Sequence, residues 1–270
     1  ICGEETALIN SLEGRRGEPR LKPPYFPAAK GLYMQPTIVN NVETICNLPH
    51  IFTDGVDAYR GLGHETDTGT FLTSISGHVQ RPRNAELGHG LTWRALIFDV
   101  AGGIRDDNDL KARVPGGASA PWFVPAEHLD LEVTKDVTGA HGSMLGSGAV
   151  IVMDHTTDMV AAAERLVRFF SEESCGQCTP CREGTTWLDQ ILQRVLAGGG
   201  RASDVDLLMD VSDNISVGLG WPPKQTTICP LGPSAVSAVM SLVRHFRDEV
   251  EAHIAEAGGT PVTITAGVGR

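Results

Sequence analysis

The chain has 270 residues, of which 41% are hydrophobic and 20% are charged, and its formal net charge at pH 7 is −11. This composition is typical of a globular protein and not of a disordered one. The negative charge argues against nucleic acid or an anionic membrane as a general partner, because long-range electrostatics would repel both. No apolar stretch approaches the roughly 18 residues that a membrane-spanning helix needs.

The first 68 residues are rich in glycine and proline, which predicts few regular elements. Glu5 to Leu12 is predicted to form a short helix, and the segment that starts at Thr37 should lead into a second helix that continues through Phe52. The chain opens with Ile1 and its first methionine is Met34, so we expect a fragment that lacks an N-terminal portion.

Residues 69 to 155 show a pattern of strands around one helix. Three segments are predicted to be strands: Phe71–Ile75, Ala112–Val114 and Ala149–Met153. Apolar spacing predicts a helix from Trp93 to Val100, with Thr92 as its N-cap. This order suggests a small α+β module of the ubiquitin-like (β-grasp) kind.

From residue 156 to 256 the chain should be helical. Four segments carry an amphipathic pattern: Met159–Phe170, Trp187–Val195, Val205–Met209 and Val236–Phe246. A four-helix bundle with short connections is the most economical arrangement of four such stripes. Residues 257 to 270 are rich in Gly, Ala and Thr and are expected to form a frayed tail.

The placement of cysteines gives the strongest indication of chemistry. Three lie in one short motif and a fourth lies far downstream: Cys175, Cys178, Cys181 and Cys229. A Cys-x-x-Cys-x-x-Cys loop can reach three corners of an iron–sulfur cube, and a remote residue must supply the fourth. Both groups fall in connections between predicted helices, so they can meet at one end of a bundle. The pattern therefore predicts a [4Fe–4S] cluster.

A structural zinc ion is the alternative, because Zn²⁺ also accepts four thiolates, although it typically takes them as two pairs. If a cluster is bound, the backbone amides of Gly176 and Gln177 could donate hydrogen bonds to its sulfurs. Cys2 and Cys46 are expected to be buried small side chains.

Two polar pairs near the start have two interpretations each. Glu4 and Glu5 could contact a ribose or an amide, or they could stabilise the dipole of the predicted helix. Asn40 and Asn41 could hydrogen-bond a heterocycle, or they could turn the chain. The residues alone leave these alternatives open.

Six motifs carry a family resemblance. They are Ile1-Cys-Gly-Glu-Glu-Thr-Ala-Leu8, Ser11-Leu-Glu-Gly-Arg-Arg16, Pro36-Thr-Ile-Val-Asn-Asn-Val-Glu-Thr44, Ile75-Ser-Gly-His78, Val150-Ile-Val-Met-Asp154 and Glu173-Ser-Cys-Gly-Gln-Cys-Thr-Pro-Cys-Arg-Glu-Gly184. Together they resemble the NADH-oxidising flavoprotein subunit of respiratory complex I over nearly the whole chain. In that family NADH gives a hydride to FMN, and electrons then pass singly to a [4Fe–4S] cluster and, through partner subunits, to quinone.

The resemblance implies an α+β, multi-domain architecture. Residues 1–68 would be the end of a Rossmann-like FMN domain, residues 69–155 a ubiquitin-like domain with a returning strand, and residues 156–256 a four-helix bundle that holds the cluster. It implies that the FMN and nicotinamide pocket includes Gly3, Glu4, Glu5, Thr6, Val39, Asn40, Asn41 and Thr44. It also implies that the cluster ligands are Cys175, Cys178, Cys181 and Cys229.

The implied partners are other subunits of the NADH dehydrogenase module, including a [2Fe–2S] subunit and a larger iron–sulfur subunit, with no nucleic acid and no direct membrane insertion. The implied location is cytoplasmic, at the inner face of the cell membrane through those partners. Three alternatives stay open: a diaphorase subunit of an NAD-dependent formate dehydrogenase, the same subunit of an NAD-reducing hydrogenase, or a zinc-stabilised interaction module. The family's glycine-rich flavin-phosphate segment should precede Ile1, so these 270 residues alone are expected to hold FMN poorly and not to oxidise NADH.

Overall fold

The computed structural model describes residues 1–123, 128–220 and 222–256, which form a mixed α/β structure with one small sheet and many helices. The expected tail at 257–270 lies outside the described residues. Within the described ranges, no helix combines the length and the apolar composition that a membrane span requires.

The first 69 residues contain short helices joined by irregular segments, and no strand. The α-helices are α1 (Glu5–Leu12), α2 (Pro27–Lys30), α3 (Val42–Cys46), α4 (Leu48–Asp54) and α5 (Val56–Arg60). The predicted helix α1 is confirmed. The helix expected through Phe52 is divided into α3 and α4, because Pro49 has no N–H to donate to the carbonyl four residues earlier.

A mixed four-stranded sheet follows. Its strands are β1 (Thr70–Gly77), β2 (Arg83–Gly88), β3 (Leu110–Val114) and β4 (Ala149–Asp154), in the order β2-β1-β4-β3. β1 is parallel to β4 and antiparallel to β2, while β3 is antiparallel to β4. The three predicted strands are confirmed. Sequence reasoning did not locate β2, because this edge strand alternates only between half-buried and exposed positions.

A helical turn from Ala95 to Val100 covers the sheet, close to the predicted helix. The backbone amide of Ala95 donates to Thr92 Oγ1 at 3.1 Å, so the predicted N-cap is confirmed. The apolar side chains of this turn and of the sheet form one core, which includes Trp93, Leu96, Ile97, Ile75, Val150 and Val152.

The short helix α6 (Lys135–Ala140) precedes β4, and four longer helices after β4 pack around a second core. These are α7 (Met159–Glu173), α8 (Thr179–Leu196), α9 (Asp204–Ile215) and α10 (Leu231–Glu256). All four predicted helical segments are confirmed. α8 begins eight residues before the apolar stripe at Trp187, because Pro180 in its first turn is well suited to a helix start. This early start places Cys181 inside the helix.

Asp154 is the last residue of β4, in the segment of the chain that leads from the sheet into α7. Its carboxylate is fully buried and accepts hydrogen bonds from Asn108 Nδ2 at 2.9 Å and Thr156 Oγ1 at 2.6 Å, while His78 Nδ1 lies 2.7 Å away. Burial alone would raise the pKa of Asp154, but these hydrogen bonds outweigh it and hold the pKa well below its usual range. Asp158 then caps α7, the helix that leads to the cysteine motif.

Candidate metal centre

Four thiols line one cleft at the end of the helices where α7 stops and α8 and α10 begin. Cys175 and Cys178 lie in the connection between α7 and α8, Cys181 lies in the first turn of α8, and Cys229 lies just before α10. The described residues that line this cleft are Ile1, Pro19, Ser174, Cys175, Cys178, Cys181, Thr227, Cys229 and Leu231. The structure thus brings together the four cysteines that the spacing selected.

The loop between α7 and α8 takes its shape from Gly176. This residue has φ of +83°, in the left-handed region that favours glycine. Its N–H donates to Ser174 Oγ at 3.3 Å, and its carbonyl accepts from Arg182 Nη1 at 2.6 Å. The Gly176 N–H is thus directed to the Ser174 hydroxyl, and hydrogen bonds from Gly176 and Gln177 to cluster sulfurs stay a prediction.

A different amide reaches a sulfur. The N–H of Ile228 donates to Cys178 Sγ at 3.3 Å. Sequence reasoning missed this donor, because Ile228 is 50 residues from Cys178 along the chain and only the meeting of the two loops brings them together. The contact ties the loop that carries Cys229 to the loop that carries the other three thiols.

Burial of the thiols sets the electrostatics of the cleft. Desolvation raises the pKa of both Cys181 and Cys229, and the neighbouring thiols raise these values further by repulsion between thiolates. The Ser174 hydroxyl opposes the shift at Cys181. Four thiolates without a metal are therefore unfavourable here, and a bound soft cation would offset the cost.

The donor set fits an iron–sulfur cluster. Among the described residues that line the cleft, the ionisable side chains are all cysteine thiols, and soft thiolates are the ligands that iron–sulfur clusters take. In the described ranges, no group of three or more His, Cys, Asp or Glu is spaced to share a single metal ion. A cube with irons at four alternate corners needs one ligand at each iron, so the ligands are placed around a cleft rather than meeting at one point.

The first group of residues implied for flavin and nicotinamide surrounds the start of α1. Glu4 Oε2 accepts from the backbone amides of Thr6 and Ala7, each at 2.9 Å, which makes Glu4 the N-cap of α1. Lys22 Nζ lies 3.0 Å from Glu4 and also pairs with Glu5. Glu4 thus acts as a helix cap, the second of the two interpretations that the residues left open. Gly3 is exposed beside it.

The second group surrounds the start of α3. Asn41 Oδ1 accepts from the Thr44 amide at 3.1 Å and caps that helix, while Val39 is half-buried and Asn40 is exposed. Asn41 and Thr44 line a cleft with Phe71, His89 and Lys135 among others. None of the first group is among the described residues that line that cleft.

The start of the chain also lines the thiol cleft. Ile1 and Pro19 line the thiol cleft, and the carboxylate of Glu4 contributes to the raised pKa of Cys229. One of the residues implied for the flavin pocket therefore acts electrostatically on a thiol. Cys2 and Cys46 are both exposed, so the expectation that they are buried is wrong.

Comparisons with known proteins agree with this geometry. Residues 161–253 match the NADH-ubiquinone oxidoreductase-F iron-sulfur binding region, and residues 1–50 match the Nuo51 FMN-binding domain. All four clustered cysteines fall inside the first match. The expected cofactors, FMN and an iron–sulfur cluster, are confirmed by these two matches.

Relatives named as the F subunit of NADH-quinone oxidoreductase match nearly the whole chain. The chain is 51% identical to that of Mycobacterium tuberculosis (strain ATCC 25618 / H37Rv) over 261 residues, which are 97% of this chain and 56% of the relative. It is 48% identical to that of Streptomyces coelicolor over 258 residues, which are 96% of this chain and 55% of the relative. The chain thus spans about half the length of these relatives.

Among solved structures, the chain is similar to a chain of an NAD⁺-reducing [NiFe]-hydrogenase in the H₂-reduced state. The TM-score is 0.81 at 33% identity, and the match covers 94% of this chain and 41% of that one. These comparisons define an iron–sulfur protein with an FMN-binding region. The chain belongs to the family formed by the F subunits of NADH-quinone oxidoreductases.

Proposed function

We propose that this chain is the electron-transfer part of an NADH-quinone oxidoreductase subunit. The reaction would move a hydride from NADH to FMN, and single electrons would then pass through a [4Fe–4S] cluster to partner subunits and quinone. FMN, when bound, supplies the conversion from two-electron to one-electron chemistry. The observation that carries the proposal is the convergence of four thiols on one cleft that residues of the FMN-binding match also line.

The cluster would be held by Cys175, Cys178, Cys181 and Cys229. Cys181 and Cys229 are buried and the other two are half-buried, which limits the access of water to the sulfurs. The Ile228 amide offers a hydrogen bond to Cys178. Burial and hydrogen bonds to sulfur are two of the means by which a protein sets a cluster's potential, and four thiolates complete the cube without a further ligand.

The FMN and nicotinamide pocket would use the eight residues that the resemblance implies: Gly3, Glu4, Glu5, Thr6, Val39, Asn40, Asn41 and Thr44. Most of the large apolar side chains of residues 12–62 are exposed, as at Ile38 and Phe52. The relatives are longer than this chain, and we propose that their additional sequence packs on this apolar surface and completes the pocket. The chain alone would then bind FMN poorly.

The proposed division of the chain is residues 1–68 for the FMN and NADH region, 69–155 for a β-grasp domain and 156–256 for the cluster-binding bundle. The sheet order supports the second part, because a parallel pair at the centre with antiparallel strands on both sides is the β-grasp arrangement. The shared core of α7–α10 supports the third.

The proposed partners are a [2Fe–2S] subunit and a larger iron–sulfur subunit of the NADH dehydrogenase module. The relatives are named as one subunit of an oxidoreductase, which supports the existence of such partners. Contact with the inner face of the membrane would be made through them. The formal charge of −11 supports the exclusion of nucleic acid.

Rapid kinetics on the full-length subunit that contains this sequence test the proposal. After mixing with NADH, the flavin absorbance should bleach first and the cluster signal should follow. In Cys229→Ala the flavin should still bleach, but no cluster should be reduced. Cys46→Ala, which removes an exposed thiol outside the cleft, should behave like the wild type. A Cys229→Ala subunit with normal cluster reduction would contradict the proposal.

The likeness to the NAD⁺-reducing [NiFe]-hydrogenase chain supports a second candidate function, as the diaphorase subunit of a hydrogenase or a formate dehydrogenase. The cofactors and the residues that hold them would be the same in both candidates, so the partner decides. Identification of the subunits that co-purify with the full-length protein distinguishes the two.

A further inference from the structure

Ser174 is the last residue before the cysteine motif, and its hydroxyl lies beside a proposed cluster ligand. Ser174 Oγ is 3.4 Å from Cys181 Sγ, and Ser174 lines the thiol cleft. We infer that Ser174 is a positioning residue that sets the reduction potential of the cluster through a hydrogen bond to Cys181. This inference rests on the proposed function, because it requires a cluster in the cleft.

The direction of the hydrogen bond follows from the neighbours of the hydroxyl. The Gly176 N–H donates to Ser174 Oγ at 3.3 Å, so this oxygen already accepts one hydrogen bond. A ligating cysteine is a thiolate and has no proton to donate. The hydroxyl proton of Ser174 is therefore donated to the sulfur of Cys181.

The surrounding loop holds the hydroxyl in this position. The left-handed backbone at Gly176 turns its amide toward Ser174, and Arg182 Nη1 fixes the Gly176 carbonyl at 2.6 Å. A donor that is held in place before the electron arrives favours the more negatively charged, reduced state of the cluster. Loss of the hydroxyl should make the cluster harder to reduce.

The cleft offers a control that separates this effect from the removal of any hydroxyl near Cys181. Thr185 is buried, and its Oγ1 donates to the Cys181 carbonyl oxygen at 2.7 Å, so its hydrogen bond goes to the backbone and not to the sulfur. Thr185→Val removes that hydroxyl and keeps the side-chain shape. A potential that depends on the hydrogen bond to sulfur should respond to Ser174 and not to Thr185.

A redox titration followed by low-temperature EPR, on the chain loaded anaerobically with iron and sulfide, tests the inference. At the wild-type midpoint potential, Ser174→Ala should lower the ratio of reduced to oxidised cluster about three- to tenfold, which is the net worth of one hydrogen bond. Ser174→Thr, which retains a hydroxyl, should stay near the wild type, and Thr185→Val should not shift.

If Ser174→Ala does not load a cluster, the isosteric pair Ser174→Thr and Ser174→Val decides, because the two differ in the hydroxyl alone. Three results would overturn the inference: an unchanged potential in the variants without a hydroxyl, an equal shift in Thr185→Val, or cluster loading by Ser174→Thr alone, which would make the hydroxyl an assembly requirement. A wild-type chain that forms no cluster would instead refute the proposed function.

Discussion

The four long helices and the first 62 residues bury their apolar side chains to very different degrees. In α7–α10, Leu188, Leu208 and Leu242 have no exposed surface. In the first 62 residues, Phe52 is 84% exposed and Ile38 is 82% exposed. The helical region therefore finds its apolar contacts within this chain, whereas the first region has apolar surface that the described residues do not cover.

This difference separates the two proposed sites. The thiol cleft lies where the well-packed helices α7, α8 and α10 end or begin, so we expect the cluster site to form in this chain alone. The residues implied for flavin lie in the less packed region, one group around the start of α1 and the other around the start of α3. We expect these groups to meet only when further sequence covers the apolar surface.

The largest effect should come from the helical core. Leu208→Ala should lower the free energy of unfolding by about 2–5 kcal/mol, because it removes a fully buried side chain from a core shared by four helices. Phe52→Ala should change it by less than about 0.5 kcal/mol, since most of that ring is already in water. Chemical denaturation followed by circular dichroism measures both. Similar losses in the two variants would contradict the difference in packing between the two regions.

An intermediate effect is expected at Asp154, between the sheet and the helices. Asp154→Asn should cost about 1–3 kcal/mol at neutral pH, because it disturbs hydrogen bonds around a buried carboxylate. The pKa of Asp154 is lowered in the folded state, so its contribution is complete above the unfolded value of about 3.9 and is lost as the pH falls below it.

The difference in the free energy of unfolding between the wild type and Asp154→Asn should accordingly stay constant from neutral pH to about pH 5. It should become smaller below about pH 4. Denaturation curves over this pH range check the prediction. Asp109→Asn, at an exposed position near the same joint, provides the matched control and should show no such gap. A gap that widens in acid would contradict the assigned hydrogen bonds.

The four cysteines that line the thiol cleft could be predicted from the sequence, but the hydrogen bonds around them could not. The spacing of Cys175, Cys178 and Cys181, together with one distant cysteine, indicates a shared site because ligand type and spacing are written in the sequence. The hydrogen bonds from Ile228 to Cys178 and from Gly176 to Ser174 depend on backbone directions in the loops, which no periodicity reports.

The exposure of apolar and cysteine side chains in the first 62 residues could not be predicted from the sequence either. Cys46 and Phe52 are residue types that are usually buried, and their exposure depends on which chain segments pack nearby. The edge strand β2 has too weak an alternation to be located. Local sequence patterns thus predicted the helices and strands that carry a clear apolar stripe. They did not predict β2 or which side chains are exposed.

The smallest effect should come from Lys22, in the first region. Lys22→Ala removes the cation that pairs with Glu4 and Glu5, and we expect a loss of at most about 1 kcal/mol, because the ion pairs are partly exposed. High salt should reduce the loss. Lys30→Ala, at an exposed lysine, is the control in the same denaturation experiment. A loss as large as that of Leu208→Ala would show that the first region is as tightly packed as the helices.

Iron and sulfide analysis with low-temperature EPR, on the 270-residue chain loaded anaerobically, tests most directly whether the four thiols hold one cluster. We expect about four irons and four sulfides per chain with a [4Fe–4S] signal after reduction, lost in Cys229→Ala and kept in Cys46→Ala. Stoichiometric zinc without iron in the freshly isolated protein, or a cluster signal that survives Cys229→Ala, would contradict a cluster held by these four cysteines.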